Sequence, residues 1–283
     1  MKRPQLLLLT LVLLSPSACN AQTQNGFDLS GASIPASEIH KGGPPRDGIP
    51  SIDEPQFVSP GEATKLEPGD DVLGVVHNGL AKAYPISILN WHEIVNDEFH
   101  GKPVVVSYCP LCGSGLAFDA RIGGKDRSFG VSGLLYNSDV LLYDRESESL
   151  WSQVKMKAIN GPQKGTPLSY IQTTRTTWGD WRKEHPDTRV LSRETGFSRN
   201  YDRTPYGGYE QSKKLFFPVA NKDDRYHRKE WTLGVEVDGR FKAYPFEELE
   251  AARQPVRDEF AGKELVINYD EDAQSAQVQT AGG

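Results

Sequence analysis

An internal repeat constrains this 283-residue chain more than any other feature of its sequence. Leu73-Gly74-Val75, Asn78-Gly79 and Lys82-Ala83-Tyr84-Pro85 recur 160 residues later as Leu233-Gly234-Val235, Asp238-Gly239 and Lys242-Ala243-Tyr244-Pro245. One residue further along in register, Asp97-Glu98-Phe99 and Gly101-Lys102 return as Asp258-Glu259-Phe260 and Gly262-Lys263, and Val104–Tyr108 returns as Leu265–Tyr269. Each copy reads as a strand, a two-residue Asn-Gly or Asp-Gly turn of type I′, and a return strand. A proline then opens a short helix, Ile86 to about Glu93 in the first copy, and a buried-type strand follows. A repeat of this length with conserved turn chemistry predicts two similarly folded units. The expected class is therefore α+β and β-rich: two hairpin-helix-strand subdomains, about 71–110 and 231–270, around a central, mostly β region.

The central region supports that class. Gly115–Asp119, Arg127–Leu134, Val140–Tyr143 and Leu150–Val154 read as short strands between Gly, Asn, Asp and Ser turns. Thr177 followed by Asp180 starts a helix that His185-Pro186 stops, and Trp178 and Trp181, three apart on it, read as core. Val190-Leu191 reads as one more strand. Residues 196–229, with Tyr201, Tyr206 and Tyr209, show no period and read as loop-rich. Residues 22–65 are rich in Gly, Pro and Ser, which predicts an arm or linker before a single globular domain at 66–272. Residues 273–283 are poor in hydrophobics and read as a frayed tail.

Met1-Lys2-Arg3, the apolar run Leu6–Leu14 and the small residues up to Ala21 have the order of a secretory signal peptide, 1–21. The run is too short to span a bilayer, and no other stretch reaches the roughly 18 apolar residues of a membrane helix. The expectation is an exported, periplasmic or cell-surface protein. Cys19 leaves two outcomes open: lipidation after Ser17-Ala18, which gives an anchor, or cleavage after Ala21, which discards it. The formal net charge is −6, and losing Lys2 and Arg3 makes it more negative. That argues against nucleic acid or an anionic membrane as partner and leaves a small molecule or a protein.

The two copies differ where chemistry could sit. Trp91-His92-Glu93 becomes Ala251-Ala252-Arg253, and Cys109-Pro110-Leu111-Cys112 becomes Asp270-Glu271-Asp272-Ala273. A histidine and two cysteines vanish together while the scaffold residues persist, so they read as one constellation. Cys-x-x-Cys supports either metal ligation by two thiolates or a reversible disulfide. The Pro-Leu insert and Gly113 favour metal, since rubredoxin-like knuckles use the same Cys-Pro-Leu-Cys-Gly run, although in pairs. The expected ligands are Cys109, Cys112 and, as the leading third, His92, with His77 the second choice; Glu93 beside His92 could ligate, orient a ligand or act as the catalytic base on metal-bound water. Zinc, copper and iron all suit such a set. Two alternatives stay open: a thiol-disulfide exchange protein using Cys109 and Cys112, and a non-enzymatic binding module with a structural knuckle. Asn137-Ser138-Asp139, Tyr143-Asp144-Arg145 and Trp151-Ser152-Gln153 gather polar groups near aromatics, as either pocket walls or turns do. Gly130-Val131-Ser132-Gly133 lacks the spacing of a hydrolase nucleophile elbow.

Five motifs in order, Lys-Ala-Tyr-Pro (82–85), Trp-His-Glu-Ile-Val-Asn-Asp (91–97), Tyr-Cys-Pro-Leu-Cys-Gly-Ser (108–114), Phe-Gly-Val-Ser-Gly (129–133) and Ser-Leu-Trp-Ser-Gln (149–153), resemble a bacterial and archaeal family built on a domain of unknown function. The resemblance runs from about 70 to 250. It implies an exported context and the Cys-Pro-Leu-Cys signature, and no particular activity.

Overall fold

The computed structural model describes residues 22–280; the stretch expected to be a signal peptide, 1–21 with Cys19, lies outside them. Strands dominate, with three short α-helices among the described residues.

The N-terminal segment is an arm laid across the domain rather than a linker. A ribbon of β1 (Thr23–Gln24) and β2 (Phe27–Asp28) leads through a 3-10 turn at Ala36–Glu38 to β3 (Ile39–Lys41) and β4 (Phe57–Val58). Its few apolar residues, Phe27, Leu29, Ile39 and Ile52, are buried. Its backbone groups find partners in the domain: Asp47 N–H donates to Val131 O, Ile52 N–H to Ile94 O, and Asn96 N–H to Ile52 O. The globular unit therefore begins well before residue 66, because sparse apolar residues spaced by Gly and Pro can still be anchored one at a time.

The first repeat unit runs through β5 (Asp71–His77), β6 (Leu80–Pro85), α1 (Ile86–His92), β7 (Ile94–Phe99) and β8 (Lys102–Cys109), and β9 (Ser114–Asp119) returns against β8. Asn78 and Gly79 both have positive φ, as the type I′ turn requires. Lys82 Nζ donates to both Asp97 oxygens at 2.8 and 2.9 Å and to Glu98 O, and Tyr84 Oη donates to Asp97 at 2.5 Å. This clamp ties the hairpin to β7 across α1.

The middle of the chain supplies the ribbon β10 (Arg121–Ile122) and β11 (Lys125–Asp126), then β12 (Phe129–Tyr136), β13 (Asp139–Asp144), β14 (Leu150–Ser152) and β15 (Lys157–Asn160). These last four form a sheet in the order β15-β14-β13-β12, with β3 of the arm at its edge. Next come β16 (Tyr170–Ile171), β17 (Thr173–Thr177), α2 (Trp178–Glu184) and β18 (Arg189–Leu191). β16 extends the β7-β8-β9 sheet, while β17, β18 and β4 flank the β5–β6 hairpin in the order β17-β5-β6-β18-β4. The Thr177 side chain caps α2 by accepting from Asp180 N–H, and Trp178 and Trp181 pack on the hairpin.

Residues 196–229 carry neither helix nor strand. After them come β19 (Thr232–Val237), β20 (Arg240–Pro245), α3 (Phe246–Ala251), β21 (Val256–Phe260) and β22 (Lys263–Asp270), the same order of elements as Asp71–Cys109. Lys242 and Tyr244 both bond to Asp258, as Lys82 and Tyr84 do to Asp97. The expected frayed tail is instead largely a strand. β23 (Ser275–Thr280) pairs with β22 residue by residue, from Asp270↔Ser275 to Leu265↔Thr280. Only Ala276 and Val278 need face the local core, so a polar sequence completes a sheet whose energy comes mainly from backbone pairing.

The two hairpins differ in cover. A Cβ on Gly74 would fall inside the Trp181 ring, whereas one on Gly234 meets nothing within 4 Å. Gly74→Ala should therefore destabilise the protein by about 1–3 kcal/mol through overpacking. Gly234→Ala should stay within about 0.5 kcal/mol of the parent. Urea unfolding of the two variants side by side checks this, and equal losses would contradict it.

Candidate metal centre

Strand β8 delivers Cys109 into the interior, and Pro110-Leu111-Cys112-Gly113 turns the chain so that Ser114 pairs back with Cys109. Cys112 N–H donates to Cys109 O at 3.3 Å. Gly113 has φ +66, and a Cβ there would meet the Trp231 ring at 2.5 Å, so both conformation and packing call for glycine. Both cysteines are free thiols. Cys109 is buried; Cys112 shows accessible surface as a residue, but its sulfur is turned inward.

A third group meets them from another sheet. Asn137 and Ser138, both at positive φ, form the turn between β12 and β13, and Asp139 follows as the first residue of β13. Asp139 is only 2 % exposed. Cys112 Sγ donates to its Oδ1 at 3.1 Å, and Val154 N–H donates to its Oδ2 at 3.2 Å. Cys109 Sγ donates to Ser138 O at 3.6 Å. One ligand atom from each of Cys109, Cys112 and Asp139 lies within 4.8 Å of the other two, close enough to hold a metal ion. Behind them, Ser114 Oγ lies 2.9 Å from Cys112 Sγ and donates to Gln153 Oε1 at 3.1 Å, while Gln153 Nε2 donates to Ser107 Oγ at 2.9 Å. Such a second layer fixes the aim of ligands.

His92 is not part of this group. Its ring is fully buried, with Nδ1 2.7 Å from Pro50 O and Nε2 2.7 Å from Tyr201 Oη. A carbonyl only accepts, so Nδ1 carries the proton, Nε2 accepts from the tyrosine, and no lone pair is left for a metal. Burial lowers its pKa and keeps it neutral. His92 thus anchors the arm and the 196–229 segment to α1. His77 is half-exposed and meets Phe99 edge-on at 5.7 Å.

Glu93 does join the neighbourhood. It ends α1 in the left-handed conformation, φ 58, and turns a buried carboxyl inward, where Tyr206 Oη donates to it at 3.0 Å. Burial pushes Glu93 up to about 7, against the lowering effect of Tyr206 and with the help of the Asp139 charge. Burial likewise carries Asp139 to about 6 and raises Cys109, whose thiol also feels the Asp139 and Glu93 charges. Cys112 rises far above its ordinary value because it shares a proton with Cys109 and is buried with it. No lysine or arginine is among the main influences on these four acids.

The 196–229 segment straps across the centre. Besides Tyr201 on His92 and Tyr206 on Glu93, Ser138 Oγ donates to Phe217 O and Ala220 N–H to Asn137 Oδ1, both at 2.8 Å. A cavity of about 550 Å³ opens over the knuckle, walled by Pro110–Gly113 on one side and by Trp231, Thr232, Ala243 and Pro245 on the other.

The model of a family described as "Protein of unknown function (DUF3179)" matches residues 46–282. The chain belongs to this family. No curated protein and no solved structure matches it. The DUF3179 region takes in the end of the arm, the knuckle, Asp139, the strap and the second repeat unit. Asp139 and Tyr206 are the site residues that motif spacing did not reveal. The only signal for Asp139 was the polar run Asn137-Ser138-Asp139.

The raised carboxyls give a signed expectation for the metal-free protein. Both acids hold protons in the fold that they would release in the unfolded chain, so their contribution is full below about pH 4 and is lost as pH rises through about 6 to 7. The melting temperature of chelator-treated protein should fall from about pH 5 to about pH 8, and Glu93→Gln should flatten part of that fall. A flat profile in the parent, or an unchanged slope in the variant, would contradict it.

Proposed function

We propose that this protein is an exported metal-site protein that holds one ion through Cys109, Cys112 and Asp139 and presents it to the adjacent cavity. The observation that carries this reading is the meeting of three ligand atoms, from two sheets, within 4.8 Å. Two thiolates and one carboxylate, without imidazole, favour zinc or ferrous iron over copper. Three protein ligands leave a fourth position for water or substrate, the arrangement of catalytic rather than structural sites. An ion there supplies Lewis acidity, polarising a bound oxygen. Glu93, buried and close enough to feel the Asp139 charge, would hold the proton that such an oxygen releases. Hydrolytic chemistry on a small molecule is the class this fits best.

A thiol-disulfide exchange role needs a thiolate at neutral pH, drawn out by a nearby cation or helix N-terminus. Here both thiols are raised, and the knuckle lies between two strands.

Elemental analysis of the protein refolded with equimolar zinc, iron and copper should give one ion per chain. Cys112→Ser and Asp139→Asn should each weaken binding at least about tenfold. His92→Gln should keep the ion while lowering the melting temperature. Parent protein without stoichiometric metal, or loss of metal on His92→Gln with the fold intact, would overturn the proposed ligand set.

A further inference from the structure

Three tyrosines of the strap point into the domain, and two have visible tasks: Tyr201 bonds to His92 and Tyr206 to Glu93. Tyr209 is just as buried, 2 % exposed, and its hydroxyl is one of four buried side-chain polar atoms among the described residues without a well-formed hydrogen bond; the Phe216 backbone N–H lies near enough to its oxygen to lower its pKa, but its own O–H has no acceptor. Its ring is held firmly. Phe216 packs against it with centroids 4.3 Å apart, and Lys229 Nζ sits 3.4 Å from the ring centre. The same ammonium donates to the carbonyls of Tyr209, Ser212 (2.6 Å) and Lys214 (3.1 Å), folding the strap around itself. The tyrosine cannot swing away without breaking that cage.

The unused hydroxyl belongs to the knuckle's surroundings. Tyr209 lines the same cavity as Cys112, and charge on Cys109 and Cys112 reaches it. A buried O–H donor left without an acceptor is destabilising, and native structures keep such groups where a ligand or water will satisfy them.

We infer that Tyr209 donates a hydrogen bond to a carbonyl-type oxygen bound at the open position of the Cys109–Cys112–Asp139 group. This rests on the metal reading above and names its substrate class. Two thiolates, a carboxylate and a divalent ion leave the centre with net negative charge, and of the cations lining the cavity Arg225 and Arg228 are paired with Asp223 and Asp224 while Lys229 is spent on backbone carbonyls, which disfavours an anionic ligand and favours a neutral carbonyl such as an amide or ester. Tyr209 on one side and the ion on the other would then both face the oxygen where negative charge develops when the carbonyl is attacked. Lys229 is the positioning residue, acting through the ring it covers.

The test uses cobalt-loaded full-length protein titrated with acetamide, a neutral carbonyl probe, and followed by the cobalt d–d spectrum. Tyr209→Phe should keep full cobalt content and an unchanged sulfur-to-cobalt band but bind the probe about tenfold more weakly, the loss of one hydrogen bond. The melting temperature of metal-free Tyr209→Phe should be no lower than the parent's, because the O–H has no acceptor there to lose. Equal probe affinity in the two proteins would overturn the inference. So would a shifted sulfur-to-cobalt band with unchanged probe affinity, which would assign the hydroxyl to a thiolate, or a lower melting temperature, which would assign it a structural partner. Failure of the parent to bind cobalt would instead overturn the metal reading itself.

Discussion

The buried Lys82–Asp97–Tyr84 clamp is the interaction on which the first unit depends. Lys82 and Asp97 side chains are only 8 % and 3 % exposed, so neither charge is hydrated. Three hydrogen bonds from the ammonium, one from the tyrosine, and the faces of Phe57 and Phe99 at 4.1 and 4.7 Å replace the lost water. Removing one partner of such a pair strands a buried charge, at a cost of about 3–5 kcal/mol. The clamp fixes where β7 lies against the β5–β6 hairpin. Because β8 pairs with β7 in strict register, from Phe99↔Lys102 to Ile94↔Ser107, it also fixes where Cys109 emerges. A polar lock whose carboxylate lies 12 residues before Cys109 thus decides the position of a thiol.

The second unit repeats the clamp in a wetter setting. Lys242 and Asp258 are 39 % and 26 % exposed, so solvent screens the pair and it contributes far less. Among the described residues no α2-like helix covers the hairpin, and the Gly234 position stays open. At the place of the knuckle, Asp270 caps its own turn by accepting from Ala273 N–H at 2.9 Å, and Gln274 takes the positive φ that Gly113 takes in the first unit. The turn survives while its thiols are gone. What this unit contributes to the centre is shape: Trp231 lies on Gly113, is stacked by the Arg175 guanidinium at 3.8 Å, and walls the cavity.

Local chemistry was legible in the sequence, and long-range pairing was not. The type I′ turns, the proline-started α1, the Thr177 cap of α2 and the core role of Trp178 and Trp181 all follow from residues within a few positions of one another. So did the pairing of Cys109 with Cys112. Asp139 was hidden because it reaches the sulfurs through a different sheet, 27 residues after Cys112, with a turn-like Asn-Ser prefix. His92 misled because absence from the second copy marks a residue with a task without saying which one. Its task is to bind Pro50 and Tyr201, segments that themselves carry no pattern. β23 escaped notice because a strand that completes a sheet by backbone bonds needs little hydrophobicity.

Electrostatics separates the chemical readings of the knuckle. Four acids, Cys109, Cys112, Asp139 and Glu93, share one buried region and all hold their protons more tightly than in water. The low effective dielectric that penalises each anion also strengthens the attraction of a cation placed among them. A divalent ion therefore gains most where protons are otherwise retained, and its arrival expels them, coupling binding to pH and to folding. A redox disulfide asks the opposite of its surroundings, a field that draws the thiolate out before any partner arrives. Arg175, beside the second unit, is stacked on Trp231 and bonded to Asp71 at 2.6 Å. The four buried acids are set to receive positive charge, and the arginines that line the cavity beside them, Arg225 and Arg228, are already paired with Asp223 and Asp224.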